Sequence, residues 1–424
     1  MKLGTKADEP IGKVVTDGNG RKPTRTPRFF SLNLLGRNVE PSNSGKERQI
    51  GAGGTTPNNQ QQHNAERSTP WLMSAFEAAG NWAFLHVNFL KQWVVGAAAE
   101  DAIKQAQKLN EKGSSAIICC LGEHIKEKAV VDEMMQEYRR LLPMLGSEIR
   151  AGRIHTETSI AIRPSPFGSD VVDSTVVDAR AYSKTNMEEL VKLAKENGVL
   201  VWMDMEGSHF TDYTLEVYKE LQAKYGNVGI ALQANLVRTA DDMRSLMTAP
   251  ELTQNRAYVR LVKGIYKETV NAYEAWNENH KNFSDLIGIA FKESDAGFKV
   301  AVGTHHAGHM LEALELSKDY PKEKFEIQTL MGVRDDLTDL LRSNGYAVTV
   351  YVPYGKKAFA YSVRRMMRSP EKMSTMLPMV VSIFKAAYKI LYGSEPVGVP
   401  TDMDSSELKS KERELRTYLN GTAQ

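Results

Sequence analysis

Eight short apolar runs, each with helix-suited sequence on at least one side, constrain this chain more than any other feature. They fall at 116–121, 159–163, 200–205, 229–233, 258–263, 299–304, 325–330 and 347–352. Runs of this length read as strands buried on both faces, and their alternation with helical stretches such as 285–294 and 334–343 predicts an α/β fold. Eight repeats predict a closed parallel (β/α)8 barrel, with an N-terminal helical extension supplied by 70–110. An open, doubly wound sheet uses the same alternation and is the alternative. The chain has no Gly-x-Gly-x-x-Gly between a strand and a helix, which argues against the dinucleotide-binding version of that sheet.

The chain has 424 residues, more than the roughly 250 a barrel needs. Residues 1–68 are rich in Gly, Asn, Gln and Pro, with scattered Arg21, Lys22, Arg25 and Arg28, and are expected to be a disordered basic and polar tail. The barrel with its preceding helices is expected over 69–395, and 396–424 reads as a C-terminal polar tail. A net charge of +2 carries no nucleic-acid signature, so small-molecule chemistry is the expectation. Cys119 and Cys120 are the only cysteines; adjacent in one apolar run, they point to opposite strand faces and read as buried and inert.

No apolar segment follows Met1, and Asp8 and Glu9 come early, which argues against a secretory signal or an acid-poor transit peptide. The expectation is cytoplasmic, with a mitochondrial location left open. Residues 376–392 carry Lys385, Lys389 and Pro378, and read as an amphipathic helix that either covers the barrel or touches a membrane surface peripherally.

A barrel gathers its active site at the C-terminal ends of its strands. Asp204 ends the third run, Gln233 the fourth, Thr304 and His305 the sixth; Arg260 and Lys263 lie on the fifth and Gln328 in the seventh. A carboxylate after an apolar run needs a partner, and so do two cations within one. Either Asp204 and Arg260 form a buried ion pair, or the cation faces a redox cofactor. Gly264 permits close backbone approach beside Lys263. His305, His306 and His309 invite a metal reading, but no acidic or cysteine pattern accompanies them, and no metal is expected.

The last run continues through a Pro/Gly turn into a helix carrying Tyr361, Arg364 and Arg365 at i, i+3 and i+4, one face. Paired guanidiniums match a planar carboxylate by forked hydrogen bonds, and the tyrosines wall off its aliphatic part. The alternative is a solvated basic helix.

These segments, taken together, resemble the FAD-dependent proline dehydrogenase (proline oxidase) family. Arg260-Leu-Val-Lys-Gly-Ile-Tyr266, Trp-Met-Asp204-Met-Glu, Leu-Gln233-Ala-Asn-Leu-Val-Arg-Thr, Phe-Glu-Ile-Gln-Thr-Leu-Met-Gly, Gly-Tyr-Ala-Val-Thr-Val-Tyr-Val-Pro-Tyr-Gly and Tyr361-x-x-Arg-Arg stand in the family's order across about 113–373. The resemblance implies FAD inside the barrel and oxidation of L-proline to 1-pyrroline-5-carboxylate, with hydride passing from proline C5 to flavin N5 and electrons onward to a quinone. By the same resemblance Asp204 and Arg260 are the catalytic pair. Met205, Gln233, Arg260, Val262, Lys263, Gly264, Thr304 and His305 would contact the cofactor. Arg163, Leu261, Tyr351, Tyr361, Arg364 and Arg365 would contact the substrate, the two last through its carboxylate.

Two positions depart from the family pattern. Arg163 stands where the family has a lysine on the second strand, and Arg368 where it has a glutamate three residues after the paired arginines. Another cyclic secondary amino acid therefore stays open as substrate, as do a catalytically silent proline-sensing barrel and a barrel enzyme acting on a carboxylate without redox chemistry.

Overall fold

The computed structural model describes residues 92–252, 257–266, 268, 271–273, 275–293, 299–367, 385, 389 and 405–422, all within one unit, Gln60–Gln424. Its strands are β1 (Ser115–Cys120), β2 (Ser159–Ile162), β3 (Leu200–Met203), β4 (Val228–Gln233), β5 (Tyr258–Val262), β6 (Lys299–Gly303), β7 (Phe325–Leu330) and β8 (Val348–Tyr354). Every neighbouring pair is parallel, and β8 pairs with β1 from Ser115 opposite Thr349 to Cys120 opposite Tyr354, closing the barrel. The open-sheet alternative is thereby excluded.

Helices α1 (Ala99–Glu111), α2 (Lys128–Arg150), α3 (Ala179–Glu196), α4 (Thr211–Tyr225), α5 (Thr239–Met247), α6 (Trp276–Lys292), α7 (Ala307–Leu316), α8 (Asp335–Ser343) and α9 (Ala358–Met367) wrap the strands. Strand residues alternate between two buried environments, as a period of two requires. Ile117, Cys119, Ala161, Trp202, Ala301 and Tyr351 pack inside the barrel. Their neighbours, among them Ile118, Ile160, Ile162, Val201, Met203 and Val300, pack against the helices. Trp202 fits because β4 has Gly229 beside it: a Cβ there would meet the indole at 2.6 Å.

Residues 405–422, expected as polar tail, form a further helix, α10 (Ser405–Thr422). It packs on α7, with Leu415 and Leu419 fully buried, and Arg334 Nη2 reaches Glu412 Oε2 at 2.8 Å. Two apolar residues one turn apart suffice to dock a helix that is charged elsewhere, and composition averages them away. The expected tail at 1–68, the helical stretch at 70–91 and Arg368 lie outside the described residues, as does 376–392 apart from Lys385 and Lys389, which are helical and exposed. Among the described residues no helix is long and apolar enough to cross a membrane.

Candidate active site

The strand register delivers polar side chains to one end of the barrel. Asp204 directly follows β3, and its backbone N–H donates to the Ile162 carbonyl at 2.8 Å, continuing the ladder to the last residue before Arg163. Asp204 Oδ1 pairs with Arg260 Nη2. Its Oδ2 accepts from the Tyr351 hydroxyl at 2.7 Å and faces Arg163 Nη2 at 3.5 Å. The ion-pair reading of Asp204 and Arg260 therefore holds, with two further donors on the same carboxylate.

Arg260 is only 5% exposed. Its guanidinium lies over the rings of Trp202 at 5.2 Å and Tyr351 at 5.9 Å, and Nη1 donates to Gln328 Oε1 at 3.2 Å. Its Nε, also buried, has no hydrogen-bond partner. Aromatic faces compensate a cation's lost hydration only in part, so this donor is available to a ligand.

A second carboxylate, which the sequence reading did not single out, organises the rest. Glu123 follows β1, and Arg163 Nη1 donates to its Oε1 at 2.8 Å. Arg364 grips both oxygens, Nη2 to Oε1 at 2.6 Å and Nη1 to Oε2 at 3.1 Å. Burial pushes the Glu123 carboxyl up, but Arg364 and then Arg163 outweigh it and hold it at about 2. Arg163 also donates to the Tyr351 hydroxyl at 3.2 Å and to Cys119 Sγ at 3.4 Å. Burial raises the Cys119 thiol, which stays protonated, and raises the Tyr351 phenol, with Asp204 adding to the effect. The signal for Glu123 was its place just past a strand, in Leu-Gly-Glu-His, the same criterion that picked out Asp204.

On α9, Tyr361 and Arg364 are both buried, and the Arg365 guanidinium sits over the Tyr361 ring at 5.2 Å. A solvated basic helix is excluded for Arg364. Arg163, Arg260 and Arg364 thus converge on the carboxylates of Glu123 and Asp204.

At the end of β5, Lys263 Nζ lies 3.0 Å from His280 Nδ1, and burial lowers its ammonium to about 8. Gly264 has φ +89°, and a Cβ there would overlap the Asn235 side-chain amide. Gln233 Nε2 donates to the Glu206 carbonyl at 2.9 Å, and the Thr304 hydroxyl accepts from the His306 N–H at 3.1 Å. His305 Nε2 accepts the Leu330 N–H at 2.8 Å; burial first, then Arg365, lowers it to about 3, so the ring is neutral.

Val262 is half-buried at the end of β5. Leu261 is not brought to the site: fully buried, it packs in the shell between barrel and helices, while Arg260 beside it turns inward. Its expected place in the substrate pocket is corrected by the strand's period of two. Met205, one residue past Asp204, packs in the same shell.

A family model described as proline dehydrogenase matches residues 102–369. The chain is 31% identical over 288 residues to a proline dehydrogenase of Deinococcus radiodurans, spanning 67% of this chain and 87% of that protein. It is 27% identical over 290 residues to proline dehydrogenase 1 of Bacillus subtilis, spanning 68% of this chain and 89% of that one. A crystal structure of proline utilization A from Bdellovibrio bacteriovorus, inactivated by N-propargylglycine, superposes with a TM-score of 0.60 at 21% identity and likewise shows the barrel fold. That match covers 74% of this chain and 36% of that much longer one. With the family model spanning the barrel and a relative 31% identical over two thirds of the chain, the chain belongs to the proline dehydrogenase family, enzymes that act on proline.

Proposed function

We propose that this chain oxidises L-proline to 1-pyrroline-5-carboxylate with FAD as cofactor and a quinone as electron acceptor. The single observation that carries the substrate assignment is the Arg364 guanidinium, buried on the helix after β8 and already forked onto a carboxylate, that of Glu123. An amino acid's carboxylate offers the same two oxygens, so the side chain is built for that geometry. Arg365, half-buried over Tyr361, is the second cation, and the Tyr361 and Tyr351 rings supply apolar walls for the pyrrolidine.

The residues fit a flavin. Arg260 keeps a buried Nε donor without a partner, Lys263 supplies a second cation just past the end of β5, and Gly264 lets the backbone turn where a side chain would block it. These groups suit an anionic diphosphate and a ring that gains negative charge on reduction. FAD bound there supplies the two-electron acceptor for hydride from proline C5. Asp204 holds Arg260 in place and is itself fixed by the Tyr351 hydroxyl; Arg163 couples this group to Glu123. The protein's contribution is thus orientation and electrostatics.

The test is to reconstitute the purified chain with FAD and add L-proline without oxygen. Bound yellow flavin should bleach. Protein that stays colourless after reconstitution ends the flavoenzyme reading, and flavin unaffected by proline but bleached by another cyclic amino acid reassigns the substrate.

A further inference from the structure

Beside Lys263, at the ends of β5 and β6, helices α6 and α7 bring three imidazoles together: His280 from α6, His306 capping α7, and His309 within it. One ligand nitrogen from each lies within 4.8 Å of the others. The rings stack closely, His280 and His309 at 4.0 Å between centroids, and His306 at 4.7 Å from each. His305, beside them in sequence, bonds instead to the Leu330 N–H. The third member of the cluster therefore comes from another helix, which is why the spacing of 305, 306 and 309 alone gave no metal pattern.

Packing alone is a poor account of this cluster. His309 is 1% exposed, yet neither ring nitrogen makes a hydrogen bond of normal geometry. The His280 carbonyl lies near enough to act on that ring, the kind of outer contact that fixes the tautomer of a metal-bound imidazole. With that carbonyl facing one nitrogen and no hydrogen bond of normal geometry at either, the buried ring has a lone pair to offer a ligand.

We propose that His280, His306 and His309 bind one divalent transition-metal ion of the zinc class, tying α6 to the start of α7. Three imidazoles with a fourth position left to water match zinc's preferred coordination. Zinc–nitrogen bonds of about 2.0–2.1 Å require the ligand nitrogens to close by up to about 1.5 Å, a side-chain adjustment. His306 gives up the bond that its Nδ1 accepts from the His309 N–H, which at 3.3 Å is long. The opposing charges are the Lys263 ammonium beside His280 and the Lys411 ammonium on the side of His306.

The full-length, untagged protein, stripped with chelator, should take up one Zn2+ per chain by calorimetry and melt at a higher temperature with it. Co2+ should give the visible bands of a four-coordinate nitrogen site without a thiolate charge-transfer band. His309→Phe, which keeps the ring packing, should weaken Zn2+ by at least ~10-fold, and Lys263→Met should tighten it by removing the repelling charge. If His309→Phe does not fold by circular dichroism, His280→Gln gives the same reading. The proposal is overturned by absence of bound Zn2+, by affinity unchanged in both histidine variants, by no gain in Lys263→Met, or by a thiolate band, which would move the ion to Cys119 or Cys120.

Discussion

Arg364 Nη2 donates to Glu123 Oε1 at 2.6 Å, joining the helix after β8 to the loop after β1 across the closing seam of the barrel. Glu123 is therefore both a structural anion and the group that a substrate carboxylate has to replace on Arg364. Glu123→Gln removes the charge and leaves Arg163 and Arg364 short of an anion, which should cost about 3 kcal/mol of stability. A carboxylate ligand such as proline should then restore more stability in the variant than in the parent. Melting temperatures of both proteins with and without proline check this; an equal shift in the two would separate Glu123 from the substrate site.

The same carboxyl sets a pH dependence. Its pKa falls from the ordinary 4.5 to about 2 in the folded protein. A depressed acid contributes stability that is fully present above the unfolded value and is lost as pH drops through the window toward the folded one. Between pH 5 and pH 2.5 the parent should therefore lose more stability than Glu123→Gln, in which this group no longer titrates. Denaturant midpoints measured across that range decide it.

The two arginines of α9 should not be equivalent. Arg364 is buried and already engaged in a fork, whereas Arg365 is half-buried and lies over Tyr361. Loss of a charge-assisted, two-pronged contact costs about 2–3 kcal/mol, so Arg364→Met should raise the KM for proline ~30- to 100-fold with kcat less affected. Arg365→Met should raise it by less, ~10-fold. Flavin content should stay unchanged in both. Proline saturation curves that are normal in both variants would remove carboxylate binding from this helix.

The barrel was legible in the sequence because each strand is a short apolar run buried on both faces, and the observed strands fall within two residues of the expected ends. The long-range partnerships were not legible. Asp204 and Arg260 could be paired on chemical grounds, but the Tyr351 hydroxyl that fixes Asp204 comes from 147 residues away. Glu123 was missed although it occupies a strand-end position like Asp204, because its meaning depends on two arginines from β2's end and α9. Leu261 was misplaced for a local reason. Resemblance assigned it with its neighbours, while the pleat sends alternate residues to opposite faces. His280 was invisible as a partner of His306 and His309 because helix-to-helix contact, not spacing, joins them.

Gly264 separates backbone strain from steric exclusion. Gly264 and Gly198 both have positive φ, +89° and +71°, but a Cβ on Gly264 would overlap Asn235, whereas one on Gly198 meets nothing within 4 Å. An alanine at either position carries the left-handed backbone penalty, about 1 kcal/mol. Only Gly264→Ala must also displace Asn235, whose Nδ2 donates to the Tyr266 carbonyl at 3.3 Å and whose N–H donates to the Lys263 carbonyl at 3.0 Å. The β5 loop should shift with it, so Gly264→Ala should lower the melting temperature by several degrees more than Gly198→Ala and lose most of its bound FAD. Gly198→Ala should retain FAD at the parent's level. The ratio of flavin to protein absorbance, read beside the two melting curves, distinguishes a cofactor-facing loop from an ordinary turn: equal flavin content in both variants would leave Gly264 with a purely structural role.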